Sequence, residues 1–67
     1  MSVVKVIEIL AESEKSWEDA TKVAVTEAEK SVRNIKSVYV KEFQAVVENN
    51  EIVRYRVDVK ISFVVQQ

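Results

Sequence analysis

The sequence contains neither glycine nor proline among its 67 residues. Glycine is the usual residue where the backbone takes a positive φ, and asparagine tolerates that conformation next best. Turns must therefore be made by asparagine, serine, glutamate and lysine. Asn49-Asn50 is the candidate for a two-residue hairpin turn. Phosphate-binding loops that depend on glycine are excluded.

The short length predicts one domain, residues 1–67. Chains of this size bury a small fraction of their surface and usually need disulfides, a metal or partner subunits. There is no cysteine and no histidine, which excludes disulfides, thiolate metal sites and the commonest general base. Self-association is therefore the expected source of additional stability.

The charges are nearly balanced, with ten basic and eleven acidic residues and a net charge of −1. A nucleic-acid partner is not expected, because such proteins usually carry a basic excess. No apolar run approaches the roughly 20 residues that span a bilayer. The start, MSVVKVIEIL, is too short and too alternating for a signal peptide, and Glu8 interrupts it. We expect a cytoplasmic protein without a membrane partner.

The first strand is predicted at Val3–Leu10, where both alternating faces are largely apolar. A helix is predicted from Trp17 to Arg33. Ser16 can cap its first turn, and Asp19 stands where it can bond back to the Ser16 N–H. The apolar stripe of the helix recurs at three- and four-residue steps and consists of Trp17, Ala20, Ala24, Ala28, Val32 and Ile35.

The two ends of the helix carry further predictions. Lys30 and Arg33 lie in the predicted last turn, where the helix dipole favours cations. Asn34 can supply the left-handed cap. At the other end Trp17 lies on the apolar stripe, so a position in the core is favoured over a ligand-stacking role.

Two more strands are predicted at Ser37–Val47 and Ile52–Val65, separated by Glu48–Glu51. A turn at Asn49-Asn50 sets a register that pairs Val46 with Val53, Val40 with Val59 and Val38 with Ile61. The face toward the helix, here called the inner face, is completed by Tyr55, Val57 and Phe63.

The opposite face of the sheet, here called the outer face, is amphipathic. It is predicted to carry Ser37, Tyr39, Lys41 and Phe43 on the second strand, and Arg54, Arg56, Asp58, Lys60 and Ser62 on the third. Lys41 then lies beside Asp58, a pair worth roughly 0.2–1 kcal/mol. Glu42 falls on the inner face, which requires a β-bulge near Glu42-Phe43 or a partner for its carboxylate. Such an outer face meets water, a ligand or another copy of the chain, and the length of the third strand favours a subunit contact.

The order of elements is β-α-β-β, and the predicted fold class is α+β, a three-stranded antiparallel sheet wrapped around one helix. The helix reverses the direction of the chain and the hairpin reverses it again. The first strand is therefore expected to pair antiparallel with the third.

Catalytic chemistry is not indicated, and we do not expect an enzyme. Without histidine the Ser-His-Asp arrangement cannot be built. Glu18-Asp19 is explained by helix capping, and Glu48 and Glu51 by a polar turn. No loop has ligands at EF-hand spacing, so no metal site is predicted.

Four segments taken in order resemble the dodecin family: VVKVIEI, SWEDATKVAVTEAEKSVRNI, VYVKEF and VRYRVDVKISFVV. The resemblance covers essentially the whole chain. It depends on two motifs: the segment Val32-Arg33-Asn34-Ile35, with which the helix ends, and Tyr55-x-Val57-x-Val59 in the third strand. It implies a hollow homododecamer that stores or buffers flavin, with two flavins stacked in each pocket at a two-fold axis.

The resemblance also implies a site. In the family a tryptophan at the start of the second strand stacks on the flavin, and a glutamine on the third strand bonds its polar edge. Ser37 stands at the tryptophan position and Arg56 at the glutamine position. The expected flavin-binding residues are Lys36, Ser37, Val38, Tyr39 and Arg56. Tyr39 can partly replace the missing ring, and Arg56 can bind a flavin carbonyl, the phosphate of FMN or another anion.

Two functions remain open from the sequence. The first is a dodecin-like oligomer that binds riboflavin, FMN or FAD at a weakened or altered site. Losing one stacking ring costs about tenfold to a hundredfold in affinity. The alternative is the same hollow assembly without flavin, with a structural role or with a different ligand or ion.

Overall fold

A computed structural model describes residues 3–65. Its elements are β1 (Val3–Ser13), α1 (Trp17–Ala28), β2 (Ile35–Glu48) and β3 (Glu51–Val65). The sheet has the order β1-β3-β2, and β3 pairs antiparallel with both neighbours. The predicted fold class and the pairing of the first strand with the third are confirmed. No helix in the described part of the chain is long and apolar enough to cross a membrane.

The core lies between α1 and the inner face of the sheet. Ala20 and Ala24 are fully buried on the helix and Ala28 nearly so, as the apolar stripe predicts, and they pack with Ala11 of β1. Small side chains allow the helix to approach the sheet closely. The β3 side of the core is formed by Val57, Val59 and Ile61, which are also fully buried.

The start of the helix is held by a serine cap. The Ser16 hydroxyl accepts a hydrogen bond from the Asp19 N–H at 2.9 Å, which confirms the predicted cap. The predicted reciprocal hydrogen bond from the Ser16 N–H to the Asp19 side chain is wrong. The Asp19 carboxylate accepts instead from the Ser13 hydroxyl at 2.6 Å. Ser13 is buried at the end of β1, and a buried hydroxyl requires a partner. The last residue of β1 is thereby tied to the first turn of α1.

The helix ends at Ala28 rather than at Arg33. After the helix, the Lys30 N–H donates a hydrogen bond to Glu27 O and the Ser31 N–H donates one to Ala28 O. This three-residue spacing is typical of a 3₁₀ turn at the end of a helix. The predicted basic last turn is therefore wrong. The chain must leave the helix early to bring Ile35 opposite Phe63, and this requirement overrides the apolar periodicity.

Asparagine makes the tight turns, as the missing glycine requires. Asn49 and Asn50 have φ values of 52° and 63°, which confirms the two-residue hairpin turn. Asn34 has a φ of 61°, but it turns the chain into β2 and does not cap the helix, whose C-cap is Glu29.

The hairpin register is as predicted near the core and beside the turn, and it is shifted by one residue between Glu42 and Val46. Val40 lies opposite Val59 and Val38 opposite Ile61, as predicted, whereas Val46 lies opposite Arg54 instead of Val53. An irregularity between Val46 and Val47 causes this difference.

A second irregularity, between Val40 and Glu42, leaves Lys41 outside the ladder. The predicted bulge exists, but it lies one residue earlier than Glu42-Phe43. Glu42 therefore turns to the outer face opposite Asp58, and Phe43 turns to the inner face opposite Val57. The predicted outer position of Phe43 and the Lys41–Asp58 pair are both wrong. The Lys41 Nζ lies instead 3.6 Å from a carboxylate oxygen of Glu8 on β1.

Candidate functional site

The outer face is a mixed apolar and charged surface, and no helix or strand within residues 3–65 lies over it. Strand pairing and alternation give it Val4, Val6, Glu8, Leu10 and Glu12 from β1, Ser37, Tyr39, Glu42, Gln44 and Val46 from β2, and Arg54, Arg56, Asp58, Lys60, Ser62 and Val64 from β3. Leu10 is 62% exposed and Tyr39 is 64% exposed. Large apolar side chains therefore stand beside charges on a surface that the described residues leave open.

Three of the five predicted flavin-binding residues share this face. Ser37 and Tyr39 lie on its β2 side, and Arg56 lies on β3. Val38 lies on the inner face opposite Ile61, so only its backbone is available to a ligand outside. Lys36 is exposed and lies at the register shift between Ile35 and Ser37.

Ser37 and Arg56 do not meet within one chain. Ser37 lies opposite Ser62, six residues along β3 from Arg56. At about 3.3 Å per residue this separates them by roughly 20 Å. A site that uses both positions around one small molecule must therefore take them from two different chains.

Ser37 is bound to its neighbour across the strands. Its hydroxyl and that of Ser62 are hydrogen-bonded. The pair presents two small polar groups where an aromatic ring would offer a flat stacking surface, and Tyr39 is the next side chain of β2 on this face.

Arg56 is bound within its own chain. Its Nε donates to Glu12 Oε2 at 2.7 Å, its Nη2 lies 2.5 Å from the same oxygen, and its Nη1 donates to Gln44 Oε1 at 3.4 Å. An incoming anion would have to compete with the Glu12 carboxylate for this guanidinium.

Glu12 also approaches the second arginine of this face. Arg54 Nε lies 3.4 Å from Glu12 Oε1 without hydrogen-bond alignment, and its Nη2 lies 3.7 Å from Glu48. The sequence prediction missed Glu12, because it ended the first strand at Leu10, whereas β1 continues to Ser13. The signal that could have found it is the alternation of faces along β1, which places Glu12 on the outer face when it is continued past Leu10.

Two carboxylates of the outer face oppose each other directly. Glu42 pairs with Asp58 across β2 and β3. Neither carboxylate has an ion pair within residues 3–65. Like charges directly opposite destabilise a sheet. Within the described residues no group of three or more possible metal ligands occurs.

Trp17 lies at the margin of the core, on the opposite side of the sheet. It packs on the helix side of the sheet as predicted, but it is 37% exposed and so lies at the edge of the core rather than inside it. Its ring makes edge contacts with Tyr55 at 5.0 Å and Phe43 at 5.9 Å between centroids. Its Nε1 donates to Gln44 O at 2.8 Å. The bulge at Lys41 turned Phe43 inward and made this cluster, which lies where the hairpin passes the start of the helix.

Comparison with known proteins gives one consistent family. The family model for dodecin matches residues 3–66. The calcium dodecin of Mycobacterium tuberculosis is 40% identical over 63 residues, which cover 94% of this chain and 89% of that protein.

Solved structures agree in fold. A point mutant of the dodecin of Thermus thermophilus superimposes with a TM-score of 0.94 at 25% identity, over 100% of this chain and 98% of that one. The calcium dodecin of M. tuberculosis, described as a calcium-chelating antigen with a novel calcium-binding site, gives a TM-score of 0.85 at 37% identity, over 97% and 93%. The chain therefore belongs to the dodecin family, whose members form homo-oligomers.

Proposed function

We propose that this protein is a homo-oligomeric binding protein, with the dodecameric architecture of its family, whose ligand site lies on the outer face between two subunits. The observation that carries the proposal is the separation of Ser37 from Arg56 by roughly 20 Å on one outer face. A planar ligand that contacts both positions requires an apposed second face. The role is binding rather than catalysis, and a cytoplasmic location belongs to the same proposal.

The exposed apolar surface supports the oligomer. Val4, Val6, Leu10 and Tyr39 are each more than half exposed on the outer face. The core of the single chain consists of small aliphatic residues, and its largest fully buried side chains are Ile61, Val57 and Val59. A chain with so small a core gains the apolar burial it lacks by covering its outer face with another copy.

Flavin is the first ligand class, bound at a weakened site. Ser37 supplies no stacking surface, and each lost base–aromatic contact costs roughly 1–3 kcal/mol, or about tenfold to a hundredfold in affinity. Arg56, already bonded to Glu12, must exchange that partner for a flavin carbonyl or phosphate.

The test is equilibrium dialysis of the native protein and of Ser37→Trp against riboflavin, FMN and FAD. We expect weak saturable binding by the native protein and about tenfold to a hundredfold tighter binding by Ser37→Trp. Glu14→Trp, which adds the same ring at an exposed position in the β1–α1 connection, is the matched control and should leave the affinity unchanged. Absence of saturable binding by both the native protein and Ser37→Trp would reject the flavin site.

A divalent cation is a second candidate ligand. Its support is the opposed Glu42–Asp58 pair, together with the similarity to a calcium dodecin. Calcium takes six to eight oxygen ligands, so one such pair is incomplete, and a second copy across a symmetry axis doubles the number of carboxylates. Bound calcium would also relieve the repulsion within the pair.

Calorimetric titration with CaCl₂ tests the cation. Saturable heat that disappears in the double variant Glu42→Gln/Asp58→Asn supports it, because these changes remove both charges and keep the shapes. The matched control is Glu27→Gln, a change on the helix surface, away from the outer face. Equal calcium binding by native protein and the double variant would assign the ion to another place.

A further inference from the structure

One carboxylate of the outer face lies between two arginines. Glu12 of β1 is directly opposite Arg56 of β3, and Arg54 lies two residues away on the same strand and face. The Arg56 Nε donates to Glu12 Oε2 at 2.7 Å, and the Arg54 Nε lies 3.4 Å from Glu12 Oε1. Each carboxylate oxygen of Glu12 therefore faces a different guanidinium, and we call these three side chains the Arg-Glu-Arg bridge.

The two arginines of the bridge are not equally bonded. Arg56 makes a hydrogen bond through Nε and a close ion pair through Nη2 to the same oxygen of Glu12. The Arg54 Nε is buried and has no hydrogen-bond partner within residues 3–65, although Glu12 Oε1 is near it. A buried donor without a partner is costly. Arg54 therefore provides a second bonding position for the Glu12 carboxylate, which the present rotamer does not use.

Glu12 can reach that position by rotating its side chain alone. The β1 backbone is fixed, because its pairing with β3 is unbroken from Val3 to Ser13 and the buried Ser13 hydroxyl donates to Asp19 at 2.6 Å. The Glu12 side chain is 35% exposed, so its carboxylate has room to turn. The 3.4 Å separation from the Arg54 Nε must shorten by only about 0.5 Å to reach the usual length of an N–H···O hydrogen bond.

The immediate surroundings of the bridge carry no net positive charge. The two guanidiniums are balanced by Glu12 and by Glu48, which lies 3.7 Å from the Arg54 Nη2, and Asp58 is the next outer-face residue of β3. An anion that binds Arg56 must displace Glu12 and then lies beside its negative charge, a juxtaposition of like charges that strongly opposes binding. An uncharged carbonyl meets no such repulsion, so the arrangement favours ligands with a neutral polar edge.

We propose that Glu12 is the specificity-determining residue of the outer-face site. When an uncharged acceptor such as a ring carbonyl takes the Arg56 guanidinium, the Glu12 carboxylate rotates onto Arg54 and stays paired. When an anion approaches, the same carboxylate repels it. Arg54 is a positioning residue, because it binds the displaced carboxylate and not the ligand. This inference rests on the proposed binding function and names its ligand class, a planar molecule with an uncharged, hydrogen-bond-accepting edge.

Inorganic pyrophosphate tests the exclusion of anions without any flavin. We expect no saturable heat when the native protein is titrated with millimolar pyrophosphate in a calorimeter. Glu12→Gln removes the charge and keeps the shape, so it should gain saturable binding, with an increase in affinity of at least about tenfold. Glu12→Gln/Arg56→Gln should lose that binding. Glu8→Gln, the same change on the same strand and face, where the carboxylate lies beside Lys41, is the matched control and should behave as the native protein.

Riboflavin tests the movement of Glu12 onto Arg54. Arg54→Gln leaves Glu12 and Arg56 in place but removes the second position, so riboflavin affinity in equilibrium dialysis should fall about fivefold, as expected for one half-exposed ion pair. In Glu12→Gln no carboxylate is displaced, so adding Arg54→Gln should leave the riboflavin affinity unchanged. This double-mutant cycle separates a movement of Glu12 from a general structural role of Arg54, and circular dichroism checks that every variant keeps the fold.

The possible failures can be told apart. Saturable pyrophosphate binding by the native protein, no gain in Glu12→Gln, or an equal gain in Glu8→Gln would overturn the exclusion of anions by Glu12. An equal effect of Arg54→Gln with and without the Glu12 carboxylate would overturn its movement onto Arg54. Absence of riboflavin binding by every variant, with pyrophosphate binding still gained in Glu12→Gln, would reject the proposed flavin site and uphold the exclusion of anions.

Discussion

The two faces of β3 belong to one strand but are completed in different ways. On the inner face Val57, Val59 and Ile61 are fully buried by the chain's own helix. On the outer face Arg56 and Asp58, which alternate with them, remain partly exposed. The inner face is buried within the single chain, whereas the burial of the outer face depends on a partner or ligand that binds to it.

The comparison predicts different tolerance to the same chemical change. A carboxylate on the inner face has no water and no cation to stabilise it. A carboxylate on the outer face remains hydrated, so its cost falls on assembly and not on the fold of the single chain. Substitutions at matched positions can therefore measure each face separately.

The largest effect is expected for Val57→Asp. An uncompensated buried charge costs about 3–5 kcal/mol, and a core of this size rarely supplies more than that. We expect the variant to lose its secondary structure, as measured by far-UV circular dichroism.

Leu10→Asp is the matched control, because it introduces the same charge on the outer face, where Leu10 is 62% exposed. It should retain the native spectrum and lose the oligomer. A folded Val57→Asp would show that the two faces are assigned the wrong way round.

A smaller effect is expected for Ala24→Leu, which enlarges a fully buried side chain between helix and sheet. Overpacking of this kind costs about 1–3 kcal/mol, to be read as a lower midpoint of urea unfolding. Thr26→Leu adds apolar volume on the exposed side of the same helix and should leave the midpoint nearly unchanged. Equal midpoints for both variants would mean that the helix is not closely packed on the inner face.

The smallest effect on stability is expected for Arg56→Ala. Its side chain is 32% exposed, and its partner Glu12 is 35% exposed, so the pair contributes at most about 1 kcal/mol. Ligand affinity should change more than the urea midpoint. Lys60→Ala, on the same strand and face, serves as the control for charge. A midpoint that falls by several times that amount, with flavin affinity unchanged, would make Arg56 a structural residue.

Most of the fold could be predicted because each element has a local cause. Ser16 caps the helix through its own hydroxyl, Asn49-Asn50 makes the turn, and alternation separates the faces of β3. The end of the helix could not be predicted in this way, since the apolar spacing continues from Ala28 to Val32 while the chain turns away to place Ile35 on the sheet.

The candidate site was less predictable, because its geometry depends on the exact position of a β-bulge. The sequence indicated a bulge near Glu42-Phe43, but the register shift lies one residue earlier. The shift at Lys41 exchanges the faces of Glu42 and Phe43. It thereby creates both the opposed carboxylates outside and the aromatic contact with Trp17 inside. Residues on the core side of the shift, such as Ser37 and Tyr39, keep their predicted face.

The three left-handed asparagines, Asn34, Asn49 and Asn50, have a consequence for the unfolded chain. Glycine at such positions would relieve the folded backbone but would give the denatured ensemble many more conformations. Replacing a glycine by a residue with a side chain, where the native backbone accepts it, is worth about 0.4–1 kcal/mol through that ensemble. A chain without any glycine starts folding from a narrower set of conformations. Part of its free energy of unfolding therefore comes from the lower conformational entropy of the unfolded chain.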